Sequence, residues 1–347
     1  MATTENPKTG SVNNKTFAAK ASDKTNSKDF YPSSNYSRGS GERGTYIKKP
    51  NYNGERKYSY KSDNKNSKYP YNKEKSGTYY KEKSLEIENI INARLDANPE
   101  LKSKLKFLVS VAKMMEAGVH IGLPASKWNS KMKPYIYDKK GKKYIIDLFQ
   151  TLIGLNNAFD FLEQKSKAGK KFLFVGSKGA LIKNTIKIQA KRSGDFFINQ
   201  RWLGGTLTNF KTISESTRKL TELVIEKKFG KIEQYTKKEQ VEKNKQIEKL
   251  NKFFGGIRTM AALPDAIIIT NPIKEKNAVL EAKKLGIPII AICNTDANPN
   301  DITFPIPANN YSIKVVSLMV TVLADAIAAG QNKPMEFVGK PDSEIEL

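Results

Sequence analysis

The first stretch of this sequence whose residue types suit chemistry is Phe174-Val175-Gly176-Ser177-Lys178-Gly179-Ala180, an apolar run entering a glycine turn and leaving into a helical pattern. A turn of that kind aims backbone N–H groups from the first turn of a helix and can hold a phosphate. It lacks the full dinucleotide fingerprint and the Lys-Ser/Thr ending of a phosphate loop. A tight turn, or a turn facing an RNA phosphate, explains it as well as a free nucleotide does. A nucleotide-binding enzyme would pair this loop with an acid such as Asp147 or Asp296. The other candidates stand alone. His120, within Gly118-Val119-His120-Ile121-Gly122, reads as a hydrogen-bonded structural group. Cys293, at the end of an apolar run, reads as a buried inert thiol. Asp265, Asp296 and Asp301 fall near expected strand ends, where α/β sites form, but nothing pairs them with a base or nucleophile. With one histidine and one cysteine in 347 residues, a His-based metal cluster, a disulfide framework and a multi-cysteine zinc site are all excluded. No catalytic residue, metal or cofactor is expected.

Cations beside aromatics form a richer pattern. Lys127-Trp128-Asn129-Ser130-Lys131-Met132-Lys133-Pro134-Tyr135 places three lysines and two rings in nine residues and reads as a loop or extended arm. Lys139, Lys140, Lys142 and Lys143 follow around Gly141. A second patch joins Lys187, Lys191 and Arg192, at a helix end, to Arg201-Trp202 beyond the next strand. Such residues neutralise phosphates and pack against sugars or bases; the alternative is a solvated basic surface with core tryptophans. The expected RNA-contacting set is Lys127, Trp128, Lys131, Lys133, Lys178, Arg192, Arg201 and Trp202.

Charge supports a polyanionic partner. The chain has 60 Lys and Arg against 35 Asp and Glu, a formal charge of +25, which repels its own copies and attracts nucleic acid. Residues 1–84 hold 18 of the cations and 8 of the acids, and their only Leu, Ile, Val or Met are Met1, Val12 and Ile47. Such composition cannot offset the entropy of ordering, so 1–84 is expected to be a disordered extension. Its ten tyrosines stand among lysines, as in Lys57-Tyr58-Ser59-Tyr60-Lys61. That mixture suits single-stranded nucleic acid and equally suits a solvated extension with no partner. No apolar run of 18 residues predicts a membrane span, and no secretory signal is readable.

From Leu85 onward, short β-branched and aromatic runs alternate with helical stretches. The runs are 144–148, 172–175, 196–198, 266–269 and 287–292. The helical stretches are 101–116, 151–167, 179–192, 274–285 and 309–329. Continuous apolar runs fit strands buried on both faces, and the alternation predicts an α/β domain with helices flanking a parallel sheet. Residues 206–253 break it. Phe210, Ile213, Thr217, Leu220 and Leu223 mark one helix face, Thr236-Lys-Lys-Glu239 has capping-box spacing, and glycine pairs 204–205 and 255–256 stand at both roots. This predicts an inserted two-helix hairpin. The α/β domain then spans 85–205 and 254–330, with 331–347 a C-terminal tail.

Several blocks resemble a known family, in the family's order. KMMEAGVHIG at 113–122, KWNSKMKPYIY at 127–137, YIIDLFQT at 144–151, INQRWLGGTLTNFKTI at 198–213, FFGGIRTMAALPDAIII at 253–269 and EAKKLGIPIIAICNTDANP at 281–299 resemble bacterial small-subunit ribosomal protein two. The Arg-Trp-Leu-Gly-Gly block is the most specific. The resemblance runs from about residue 101 to 330. It implies a flavodoxin-like parallel sheet with a protruding coiled-coil hairpin. It implies a structural, non-catalytic role in the cytoplasmic ribosome, contacting ribosomal RNA and neighbouring proteins near the head–body junction and helping to recruit protein one of the same subunit. The chain departs from the family at Leu123-Pro124-Ala125-Ser126, where a second histidine often stands, and at Asn271 and Asn294, where many relatives carry acids. The extension 1–84 has no counterpart there.

Overall fold

The computed structural model describes residues 73–345, with side chains from Lys83 onward. The expectations for residues 1–72 lie outside the described residues. In chain order the elements are α1 (Lys73–Asp96), α2 (Pro99–Lys104), α3 (Val111–Ala117), β1 (Ile121–Pro124), β2 (Ile136–Lys140), β3 (Lys143–Ile146), α4 (Leu148–Lys167), β4 (Phe172–Val175), α5 (Ala180–Ser193), β5 (Phe196–Ile198), α6 (Phe210–Lys228), α7 (Lys237–Phe254), β6 (Ala266–Ile269), α8 (Lys276–Lys284), β7 (Ile289–Cys293), β8 (Phe304–Pro307) and α9 (Ile313–Gly330).

Five strands form an all-parallel sheet in the order β5-β4-β6-β7-β8. This is the flavodoxin-type doubly wound order, and its switch point lies between β4 and β6. Side chains alternate between two buried faces. Phe172, Phe174, Ile268, Ile290 and Ile306 pack with α3, α4, α5 and α9. Leu173, Val175, Ile267, Ile269 and Ala291 pack on the other face with α8, Trp202, Leu207 and the base of α6 and α7. Helix α9 is long and apolar enough to cross a membrane by composition, yet it is mostly buried and serves as the core helix here.

Both edges of the sheet are protected, which matters because open edges template unwanted pairing. β8 reads Phe304-Pro305-Ile306-Pro307, and its prolines are tolerated because only one side of it must pair. Along β5, the Phe197 N–H donates to the Gly256 carbonyl at 3.1 Å. A Cβ on Gly256 would stand 2.0 Å from the Phe197 carbonyl oxygen, so this hairpin-root glycine is there for close backbone approach.

Helices α6 and α7 follow one another through the stretch between β5 and β6. Ile213, Thr217, Leu220 and Leu223 of α6 and Ile247 of α7 are buried. Thr236 and Glu239 complete the capping box. Lys243 of α7 pairs with Glu226 of α6 at 3.0 Å.

Four expectations need correction. The run at 144–148 does not join the parallel sheet: residues 143–146 form the centre of a separate antiparallel sheet, β1-β3-β2. Asp147 instead caps α4, accepting the Phe149 N–H at 3.0 Å. The stretch 101–116 is two helices, because the Asn156 amide takes both the N–H and the carbonyl of Lys106 at 2.9 Å, and Ser110 restarts the helix as an N-cap. The arm 127–135 is compact rather than extended, with 3-10 turns at Ala125–Lys127 and Ser130–Tyr135 and Met132 buried. Finally, the boundary drawn at residue 84 falls inside α1, which begins at Lys73. Ile91 and Leu95 anchor that helix in the core, and propagation from a docked turn adds residues with no apolar face of their own.

The C-terminal segment is tied down by one buried carboxylate. Asp325 of α9, fully buried, accepts the N–H groups of Glu336, Phe337 and Val338 at 2.7–3.0 Å. Arg192, at the end of α5, pairs with it at 2.7 Å. Removing the guanidinium strands a buried charge, a loss of about 3–5 kcal/mol. Arg192→Leu should therefore lower stability in urea denaturation by about that much, and a loss below about 1 kcal/mol would refute this role.

Candidate nucleic-acid interface

The Arg-Trp-Leu-Gly-Gly-Thr-Leu-Thr segment, residues 201–208, folds around one carboxylate. Glu281, projecting from α8, accepts Trp202 Nε1–H at 3.0 Å and the backbone N–H groups of Gly205, Leu207 and Thr208 at 2.9, 3.0 and 3.2 Å. The Thr208 hydroxyl donates at 3.2 Å as well. Gly205 adopts φ +85°, a left-handed conformation that turns successive N–H groups inward at little cost for glycine. Burial alone would raise the Glu281 pKa; the hydrogen bonds from Trp202, Leu207, Gly205 and Thr208 outweigh it and hold the carboxyl below its ordinary range. Trp202 is 6 % exposed. It anchors this loop and is withdrawn from the RNA-contacting set, while its neighbour Arg201 stands exposed.

The loops that follow the parallel strands share one edge of the sheet. After β4, the Ser177 N–H donates to Glu275 Oε1 at 3.0 Å, and the Ser177 hydroxyl donates to the same oxygen. A carboxylate of the chain itself thus occupies the Ser177 donors at the entry to the turn. Gly176 is required by packing, since a Cβ would stand 2.3 Å from the Thr270 hydroxyl oxygen. Lys178 lies half-buried with Nζ 3.2 Å above the centre of the Tyr311 ring. Burial and the nearby Lys274 both lower its pKa. The Tyr311 hydroxyl reaches Asp296 at 3.4 Å, whose own pKa burial raises.

The remaining candidate acids and nucleophiles are apart from one another. Asp147 is engaged as a cap and by Arg94 at 2.7 Å. Cys293 is fully buried and its thiol is pushed far up by desolvation. His120 is half-buried, and desolvation lowers its pKa. Among the described residues, no three His, Cys, Asp or Glu side chains converge as a metal site would need.

On the same edge the Lys127–Tyr135 arm is pinned by the Asn129 N–H, which donates to the Thr295 carbonyl at 2.7 Å. Lys127, Lys131 and Lys133 are exposed. Trp128 keeps 36 % of its surface open and rests against Tyr144 at 5.1 Å. Beyond Lys178, a cavity of about 330 Å³ is lined by Ser177, Lys183, Arg201, Lys274, Glu275 and Lys276 among others. Arg192 does not join this surface, being committed to Asp325, Glu336 and Gln189. Sequence reasoning missed Lys183, Lys274 and Lys276. The last two stand five and seven residues past the end of β6, at the entry to α8, a position that could have drawn them out.

Glu281 is the testable element of the motif. A group whose folded pKa is depressed contributes stability above its unfolded value, here near 4.5, and loses it as pH falls through the folded value. Glu281→Gln keeps one acceptor oxygen but turns an amide N–H₂ toward N–H donors. It should cost about 1–3 kcal/mol near neutral pH and flatten the acid limb of stability against pH. Unchanged stability at pH 7 in the variant would refute the carboxylate's role.

The fold and this surface agree with the chain's similarities. Residues 114–330 match the family described as Ribosomal protein S2. A protein of Malacoplasma penetrans named small ribosomal subunit protein uS2 is 50 % identical over 77 % of this chain and 74 % of its own length. The protein of that name from Ureaplasma urealyticum is 44 % identical over 77 % and 76 %. Its namesake in Mycoplasmoides gallisepticum is 47 % identical over 70 % and 76 %. A match across more than half the chain, with half of the aligned residues shared in one relative, leaves no room for a merely similar fold: the chain belongs to the ribosomal protein S2 family.

Proposed function

We propose that the chain is a structural constituent of the small ribosomal subunit, holding ribosomal RNA through phosphate contacts along the carboxyl edge of its parallel sheet. Family membership makes it a structural protein rather than an enzyme, at work in the cytoplasm as part of the ribosome. The observation that carries the RNA reading is that Lys127, Lys131 and Lys133 sit exposed on a rigidly pinned arm. Among the described residues none of the three has an ion-pair partner, whereas cations elsewhere, such as Lys283 with Asp301 at 2.6 Å, are paired. Lys178 and Arg201 extend the surface, with Trp128 available to pack on a sugar or base. Placement near the head–body junction, contacts with neighbouring proteins and recruitment of protein one are the finer parts of the proposal. The Lys/Tyr-rich residues 1–84 add contacts on the strength of composition alone.

Phosphate neutralisation releases counterions, so binding weakens linearly in log salt, by roughly 0.7–0.9 per contact. The full chain should co-sediment with small subunits at low salt and leave them at high salt. Replacing Lys127, Lys131 and Lys133 together by Glu should lower affinity for small-subunit ribosomal RNA by about tenfold or more and reduce the salt slope by roughly 2–3. Salt-independent binding by the wild-type chain would end the proposal.

A further inference from the structure

The arm is not the only surface whose cations have no ion-pair partner among the described residues. A second cavity, about 310 Å³, opens between α5 and the root of the hairpin, lined by Lys187, Phe197, Asn199, Gln200, Lys252 and Phe253 among others. It shares a wall with the cavity at Arg201 and Lys274. Lys183 lines the first cavity and donates to Gln200 Oε1 of the second at 3.1 Å. The Asn199 amide donates to the Lys183 carbonyl at 3.0 Å. The two openings therefore flank one short segment, residues 199–202, as a single strip.

Three features of the strip point to one kind of occupant. Lys187, Arg201, Lys252, Lys274 and Lys276 have no ion-pair partner among the described residues, although they crowd like charges together. Glu275, the acid in the first cavity, is committed to Ser177. Second, Phe197 and Phe253 line the second cavity while half-buried against the core, so a base entering it meets aromatic carbon. Third, the Asn199 side-chain oxygen and the Gln200 amide nitrogen have no hydrogen-bond partner among the described residues. An amide of this type reads the edge of a base through complementary donors and acceptors. An acidic peptide would match the charge; a planar base adds a face for aromatic carbon and an edge of donors and acceptors for the amides in one unit. Paired A-form RNA buries its base faces inside the helix and cannot present them to a cavity.

We infer that this strip binds an unpaired strand of RNA, phosphates against Arg201, Lys274, Lys187 and Lys252, with bases turned into the two cavities. The inference rests on the RNA-binding reading above and adds the strand's state and a location separate from the arm. At about 300 Å³ each, the cavities lie at the small end of ligand pockets, which suits one nucleotide unit apiece.

The test uses the full chain and a fluorescein-labelled 12-nucleotide RNA of mixed sequence, single-stranded or annealed to its complement. The double variants Lys187→Glu/Lys252→Glu and Arg201→Glu/Lys274→Glu are compared with Lys127→Glu/Lys131→Glu on the arm. Residues 1–84 are common to all, so differences report the substituted sites. Each strip variant should bind the single strand about tenfold more weakly and lower its salt slope by roughly 1.4, two single-strand contacts. The duplex should compete at least about tenfold less well than the single strand. Photocrosslinking of 4-thiouridine RNA to the wild-type chain should label peptides containing Phe197 or Phe253, a readout independent of any variant's folding. Strip variants within twofold of wild type, equal competition by duplex, or crosslinks confined to other peptides would each overturn the inference. So would normal RNA binding with loss of a neighbouring protein from assembled subunits, which assigns the strip to protein. If arm variants weaken ribosomal RNA binding while strip variants do not, this inference fails and the proposed function stands. If wild-type binding to ribosomal RNA is itself insensitive to salt, both fail.

Discussion

One carboxylate organises the Arg201–Thr208 segment of the candidate interface. Glu281 draws five hydrogen bonds from residues 202–208. An irregular loop of that kind has backbone donors that no helix or strand satisfies, and leaving them buried and unmade would be costly. By collecting them on α8, the chain turns a loop into a rigid bracket. Arg201 faces outward because Trp202, next to it, is held inward. The hairpin leaves the sheet from the end of the same bracket, since α6 begins at Phe210.

Four acids of this protein serve its own architecture. Glu281 holds the bracket, Glu275 closes the loop after β4, Asp325 secures the C-terminal segment and Asp147 caps α4 while pairing with Arg94. Many exposed cations are thereby left unmatched along the carboxyl edge. Such a surface repels itself until a polyanion arrives, so the electrostatic energy that binding recovers is already present in the free protein. The same division of labour reaches the switch point, where this scaffold elsewhere hosts ligands: the donors at Ser177 are already satisfied by Glu275.

The fold class, the alternation of strand and helix, the capping box at Thr236 and the isolation of Cys293 were all legible in the residues. Each follows from local rules: continuous apolar runs, 3.6-residue spacing, cap chemistry, and the arithmetic of one cysteine. Strand β8 was not, because two prolines in four residues argue against a strand until an edge position excuses them. The partner of Lys143–Ile146 was not either, because a run of apolar residues is the same whether its neighbours lie parallel or antiparallel. Nor could spacing foresee that Asn156 would take the backbone groups of Lys106 and split a helix, a contact spanning fifty residues.

The interface divides along the same line. That cations and aromatics cluster at 127–135 and around 201 is a property of the chain. Which of them face out was decided by tertiary structure. Trp202 and Arg192 looked as available as Trp128 and Arg201, and they differ only in having Glu281 and Asp325 opposite them. Those acids come from helices 79 and 133 residues further along. A side chain's type states what it can pair with; only the folded chain brings the partner within hydrogen-bond distance, and that distance settles whether a charge serves the core or the surface.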